Sequence, residues 1–153
     1  MLAPISQRLI AILIYMLPWS DALNFGRYLF IDFPYLKLIA IPALPIIIFQ
    51  QIIPFGSLIL FLLLFLIIIR NPKISYFLRF NSLQSILINI VIILINYTFQ
   101  LIIQPLGNSL LVTTLSSTVI VSVLLIIIFC IYECINGREP DLPVITEAVK
   151  IQL

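Results

Sequence analysis

The sequence predicts an all-α integral membrane protein, with four transmembrane helices preceded by an N-terminal interfacial or partly inserted helix. Three observations carry that expectation. Apolar residues make up 63% of the 153-residue chain and charged residues 9%, against about 25% charge in an ordinary soluble domain. Mean hydropathy is +1.26. The stretches 52–69 and 110–132 contain no charge at all, and apolar segments of roughly 18 residues or more read as membrane spans.

The first apolar stretch, 5–17, is broken by Arg8 and closed by Pro18. Its 13 residues rise about 20 Å as a helix, short of a hydrocarbon core of roughly 30 Å. It has the outline of a signal peptide, but Pro18-Trp19-Ser20-Asp21 is a poor cleavage site, so the segment is expected to be retained. No Ser/Arg-rich presequence precedes it, which points to synthesis in the compartment of insertion, a bacterium or a plastid. Residues 20–35 mix Asp21, Arg27 and Asp32 with aromatic side chains, the composition of a headgroup-level segment.

The expected first crossing is 36–50. Pro42 and Pro45 each remove a backbone donor there, which is tolerable in lipid only where neighbouring helices shield the segment or it lines a cavity. The second crossing is 52–69, entered through Pro54-Phe55-Gly56. A basic loop, 70–79, follows with Arg70, Lys73 and Arg79, and Asn71-Pro72 marks a turn. The third crossing is 80–104. On a helical wheel Asn81, Ser85, Asn89, Asn96 and Gln100 fall within about 100° of one another, opposite a face of Leu, Ile and Val. Such a stripe must face protein or water, as a polar helix–helix seam or as the lining of a polar path. After an uncharged turn at 104–108 comes the fourth crossing, 110–132. It carries Ser109, Thr113 and Ser117, then Thr114, Thr118 and Ser122, at a four-residue spacing that favours close packing, expected to be on the third span. The remainder, 133–153, is a charged, water-exposed tail that ends in a short surface helix.

Short basic loops stay on the side where the chain is made. With the 70–79 loop inside, two spans before it and two after it return both ends to that side. Chemistry is sparse. There are no histidines, so histidine-based triads and metalloprotease motifs are excluded. Cys130 and Cys134 lie four apart on one helical face, too few ligands for a zinc site; they read as small packed residues, with a redox-sensitive pair as the other reading. Glu133 reads as the one acid near a span, at the headgroup boundary. No enzymatic activity, cofactor, metal or nucleic-acid partner is expected.

Taken in order, the chain resembles the family of the twenty-kilodalton subunit of the protein translocon at the chloroplast inner envelope, with its plastid-encoded and cyanobacterial members. The residues that carry the resemblance are Leu17-Pro18 with Asp21, Gly26-Arg27-Tyr28-Leu29-Phe30, Phe33-Pro34, Pro42, Pro45 and Pro54-Phe55. They continue with Arg70-Asn71, Ser75, Arg79-Phe80-Asn81 with Gln84, and the tail Gly137, Pro140, Pro143, Ile145 and Gln152. The resemblance implies a multi-pass protein of the plastid inner envelope membrane, or of the plasma membrane in a cyanobacterium, with both termini stromal. Its implied partners are other translocon membrane subunits, transiting precursor proteins and the lipid bilayer. The implied function is protein import, either by forming part of the preprotein-conducting path or by scaffolding it. A small-solute transporter or channel, with the proline-broken 36–54 segment as a discontinuous helix, is the alternative. Lack of an intramembrane charge and of an internal repeat counts against it.

Overall fold

The computed structural model describes residues 3–103, 105, 107 and 109–153. The uncharged turn expected at 104–108 falls partly outside these residues. All regular structure among them is helical, and the protein is an all-α integral membrane protein in which four helices are long and apolar enough to cross a membrane. The elements are α1 (Ile5–Ala22), a 3-10 turn (Leu23–Gly26), α2 (Arg27–Asp32), a 3-10 helix (Pro34–Ala43) running into α3 (Leu44–Ile52), α4 (Gly56–Leu63) continued by a π-helical stretch (Leu64–Ile69), α5 (Tyr76–Thr98) with a π-helical end (Phe99–Ile103), α6 (Leu110–Ile135) and α7 (Ile145–Gln152).

The number of long apolar helices agrees with expectation, but their identity differs. The four are Ile5–Asp32, Pro34–Ile52, Tyr76–Ile102 and Leu110–Ile135, whereas Gly56–Ile69 is shorter. The N-terminal segment, expected at the interface and expected to stop at Pro18, instead runs on as helix and is the centre of the bundle. Ala11, Tyr15 and Ala22 are fully buried within it, with Leu17, Pro18 and Trp19 nearly so. The expected second span begins late, because Pro54 is followed by Phe55 in a left-handed conformation (φ 59°). Gly56 there packs so closely on the Gln50 backbone that an added Cβ would lie 2.8 Å from Gln50 Cα.

Proline breaks are repaired across helices. Pro18 has no N–H, so the carbonyl four residues earlier, that of Ile14, loses its intrahelical donor. Ser85 Oγ donates to that oxygen at 3.0 Å. In the 3-10 helix, Pro42 cannot donate to the carbonyl three residues before it. Trp19 Nε1 donates to that oxygen, Ile39 O, at 3.0 Å. Both repairs converge on α1, which explains how a proline-containing helix persists where lipid offers no replacement donor.

Contact register gives the helix directions. Between α1 and α5 the bonded pairs are Gln7–Ser75, Tyr15–Asn81, Ile14–Ser85 and Asp21–Asn89, separated by 68, 66, 71 and 68 residues. A near-constant offset means two helices running parallel from the same end. Between α6 and α1 with the turn that follows it, Arg8 meets Ile135 and Phe25 meets Ser116, so α6 runs antiparallel. α1 lies between α5 and α6 over much of their length, so the fourth span packs mainly on α1 and meets the third at Cys134–Asn81 (3.2 Å) and along the Val91/Ile95 and Leu115/Val119 faces. The buried face of α6 is Val112, Ser116, Ile120, Val123, Ile127, Cys130 and Cys134. Thr114, Thr118 and Ser122 point outward. The two threonines satisfy their hydroxyls on their own helix, at Leu110 O (2.7 Å) and Thr114 O (2.8 Å).

Helix ends are closed by named side chains. Ser75 caps α5 through the Leu78 amide, and Ser109 caps α6 through the Val112 amide. At the end of α6 Gly137 takes φ 72°; its amide bonds Cys134 O at 3.0 Å and that of Arg138 bonds Glu133 O at 2.9 Å, the Schellman pattern. Arg8 Nη1 donates to Ile135 O at 2.8 Å, placing a cation on the negative end of the helix. The tail is less exposed than expected: Val149 of α7 is fully buried in a cluster with Ile69, Phe80, Leu83 and Ile86.

Candidate functional site

The polar stripe of α5 divides into two parts. Asn81 and Ser85 are fully buried and Asn89 is 5% exposed. Asn81 anchors itself by donating from Nδ2 to Phe77 O at 2.7 Å, which turns Oδ1 outward to Tyr15 Oη (3.0 Å) and to the Cys134 thiol (3.2 Å). Tyr15 Oη also lies 3.2 Å from Gln84 Oε1, and Gln84 Nε2 donates to Pro140 O at 3.2 Å. One knot of side chains therefore joins α1, α5, α6 and the start of the tail. Ser85 meets Ile14 O, and Asn89 Nδ2 donates to Asp21 Oδ2 at 2.7 Å.

Asn96 and Gln100 lie beyond the end of α1, where the chain turns off through Leu23–Gly26. They bond each other, Gln100 Nε2 donating to Asn96 Oδ1 at 3.3 Å, and line a cavity of about 310 Å³. The stripe is thus continuous in sequence but divided in space. Its first three members meet α1, and its last two open to a cavity.

The three basic loop residues also differ from one another. Arg79 Nε donates to Ile69 O at 2.9 Å and closes the end of the α4 extension. Arg70 lies over the Phe65 ring, 6.0 Å from its centroid, and Lys73 is exposed, its amide bonded to Asn71 Oδ1 at 3.0 Å in a short turn. Arg8, Arg138 and Lys150 gather at this same end through the contacts of α1, α6 and α7. Glu139 is there too; partial burial pushes its carboxyl above the ordinary range, and the Lys150 charge opposes the shift.

Sequence reasoning missed three members of the site: Tyr15, Gln84 as a bonding group, and Asp21. By sequence alone Asp21 reads as a headgroup residue, and Glu133 as the one acid near a span. In the structure Asp21 lies inside the helix of the first long span, its Oδ2 accepting from Asn89 Nδ2 at 2.7 Å, and no cation pairs with it among the described residues. The missed signal was periodicity: Gln7, Ile14, Tyr15 and Asp21 sit on one face of a helix once Pro18 is allowed within it. Cys130 and Cys134 are both buried free thiols.

A family model described as "Chloroplast import apparatus Tic20-like" matches residues 6–149. The chain belongs to the Tic20-like family. A "Tic20 family protein" of Synechocystis sp. is 37% identical over 148 residues, covering 96% of this chain and 92% of the relative. "Tic20 family protein Ycf60" of Gracilaria tenuistipitata var. liui is 33% identical over 155 residues, covering 97% and 76%. "Protein TIC 20-v, chloroplastic" of Arabidopsis thaliana is 28% identical over 149 residues, covering 97% and 71%. The Tic20-like match spans both proline repairs, the α1–α5 seam and the basic loop, so the whole arrangement lies within the family region.

Proposed function

We propose that this Tic20-like chain is a membrane subunit of the plastid inner-envelope protein import translocon, and that it scaffolds the preprotein path through its outer surface. Support for the import setting comes from the family description, which names a chloroplast import apparatus, and from plant and algal relatives across nearly the full length. The observation that carries the scaffold reading is the engagement of Asn81, Ser85 and Asn89 by α1. Side chains already satisfied inside one chain are poorly suited to solvate a moving polypeptide. The groups left for partners include exposed Arg70 and Lys73 at the basic end, half-buried Asn96 and exposed Gln100 at the other, and the apolar outer flanks. On this reading the basic end faces the stroma, with both termini, and the chain performs no chemistry of its own.

Photo-crosslinkers at positions 89, 96 and 100, used with a precursor stalled during import, test this. The expected result is intramolecular adducts to α1 from position 89, and adducts to other membrane subunits from 96 and 100. An adduct from position 89 to the stalled precursor would overturn the scaffold reading and make α5 part of the path.

A small-solute transporter gains one specific observation, the acid Asp21 inside a span. Its Oδ2 is held by Asn89 at 2.7 Å, however, so the group serves the seam. Absence of every precursor and subunit adduct, in membranes that import normally, would favour the transporter.

A further inference from the structure

The cavity at the far end of the bundle has the chemistry of an anion site. Its polar lining among the described residues is Asn24, Arg27, Tyr28, Asn96, Gln100 and Ser116, which contains one cation and no acid. Among the described residues, the Asn96 and Gln100 amides bond each other and no other element. Arg27 is exposed and brings a planar fork of donors suited to a phosphate oxygen pair. Depth matches as well. Asn96 and Gln100 lie about 30–36 Å along α5 from its start at Tyr76, near the far edge of a hydrocarbon layer roughly 30 Å thick.

A second, apolar groove of about 320 Å³ runs between α5 and α6, lined by Val91, Leu94, Ile95, Leu115 and Val119. Phe99 belongs to both walls, and its ring packs edge-on against Phe25 at 5.6 Å. The groove lies about a turn nearer the membrane centre than the polar cavity, on both helices. A polar, cationic chamber at headgroup depth beside an apolar groove pointing inward fits a molecule with an anionic head and a hydrocarbon chain.

We propose that this cavity binds the phosphate headgroup of an anionic phospholipid through Arg27, Asn96 and Gln100, with one acyl chain lying in the α5–α6 groove. The site is separate from the α1–α5 seam, and its lipid lies at the edge of the face that the import reading offers to other subunits.

The test uses the full chain, purified in mild detergent, delipidated, and titrated with phosphatidylglycerol or phosphatidylcholine under native mass spectrometry. Wild type is expected to retain phosphatidylglycerol over phosphatidylcholine by roughly tenfold: both carry the phosphate, but choline sets a second cation near Arg27, a repulsion large enough at contact distance for that ratio. Arg27→Gln should abolish the preference, and Asn96→Leu with Gln100→Leu should weaken it. Lys150→Glu, a charge change at the opposite end, should leave it intact. Leu115→Trp, which fills the groove without touching the head chamber, should reduce retention of both lipids. Circular dichroism and size exclusion confirm that each variant is folded; Arg27 and Leu115 are exposed, so neither change cuts the core. Equal retention by Arg27→Gln and wild type would overturn the proposal, as would equal retention of the two lipids by wild type. Displacement of phosphatidylglycerol by millimolar inorganic phosphate alone would show a free-anion site and overturn the lipid assignment.

Discussion

Pro18 and Ser85 are 67 positions apart in the sequence, yet they act on one atom, Ile14 O. Without Ser85 that carbonyl is buried and unsatisfied; without Pro18 it has an intrahelical donor and Ser85 is dispensable. Ser85→Ala is therefore expected to cost about 1–3 kcal/mol, and the same change in a Pro18→Ala background far less. Thermal unfolding in micelles for the four members of the cycle measures the coupling. Additive losses would show that the bond does not repair the proline break. The Trp19–Ile39–Pro42 triplet works by the same logic at a second proline.

At the scale of elements, α6 depends on its inner end. Gly137 holds a left-handed conformation at φ 72°, and a Cβ there would lie 3.0 Å from the Arg8 guanidinium. Gly137→Ala should therefore destabilise by about 1–2 kcal/mol from backbone strain alone, and should also displace Arg8 from Ile135 O. Arg8→Gln removes the cation without the strain and should cost less, about 0.3–1 kcal/mol. Chemical denaturation of both variants checks the order; a larger loss for Arg8→Gln would reverse the assignment of strain and charge. The outward stripe on α6 behaves differently: Thr114 and Thr118 satisfy themselves locally, so the spacing that suggested a packing face did not require one.

For the whole molecule, the parallel pair α1 and α5 and the antiparallel α6 bring Arg8, Arg70, Lys73, Arg79, Arg138 and Lys150 to one end. A basic end is retained on the side of synthesis. Single cysteines at positions 73, 138 and 150 should therefore all label from one side of sealed membranes with an impermeant maleimide. The native thiols stay silent because both are buried. Labelling of position 73 from the side opposite to 138 would break this topology.

Much of this was legible in the residues. Composition determined the membrane class, because an apolar chain of this length has no other way to shelter its side chains. The five-residue polar stripe and the basic loop were legible from periodicity and local charge, and the order of motifs carried the family. What tertiary structure decided was which groups meet. The sequence reading stopped the first helix at Pro18, since proline removes a donor; whether that break ends a helix depends on a substitute donor, and Ser85 supplies it from a distant segment. Once α1 continues, it becomes the central helix, draws Asp21 into the bundle beside Asn89, takes up much of the space between α5 and α6, and leaves Asn96 and Gln100 open past its end. Local pattern specifies the helices and their polar faces. The partner of each face is a long-range pairing that no single segment encodes.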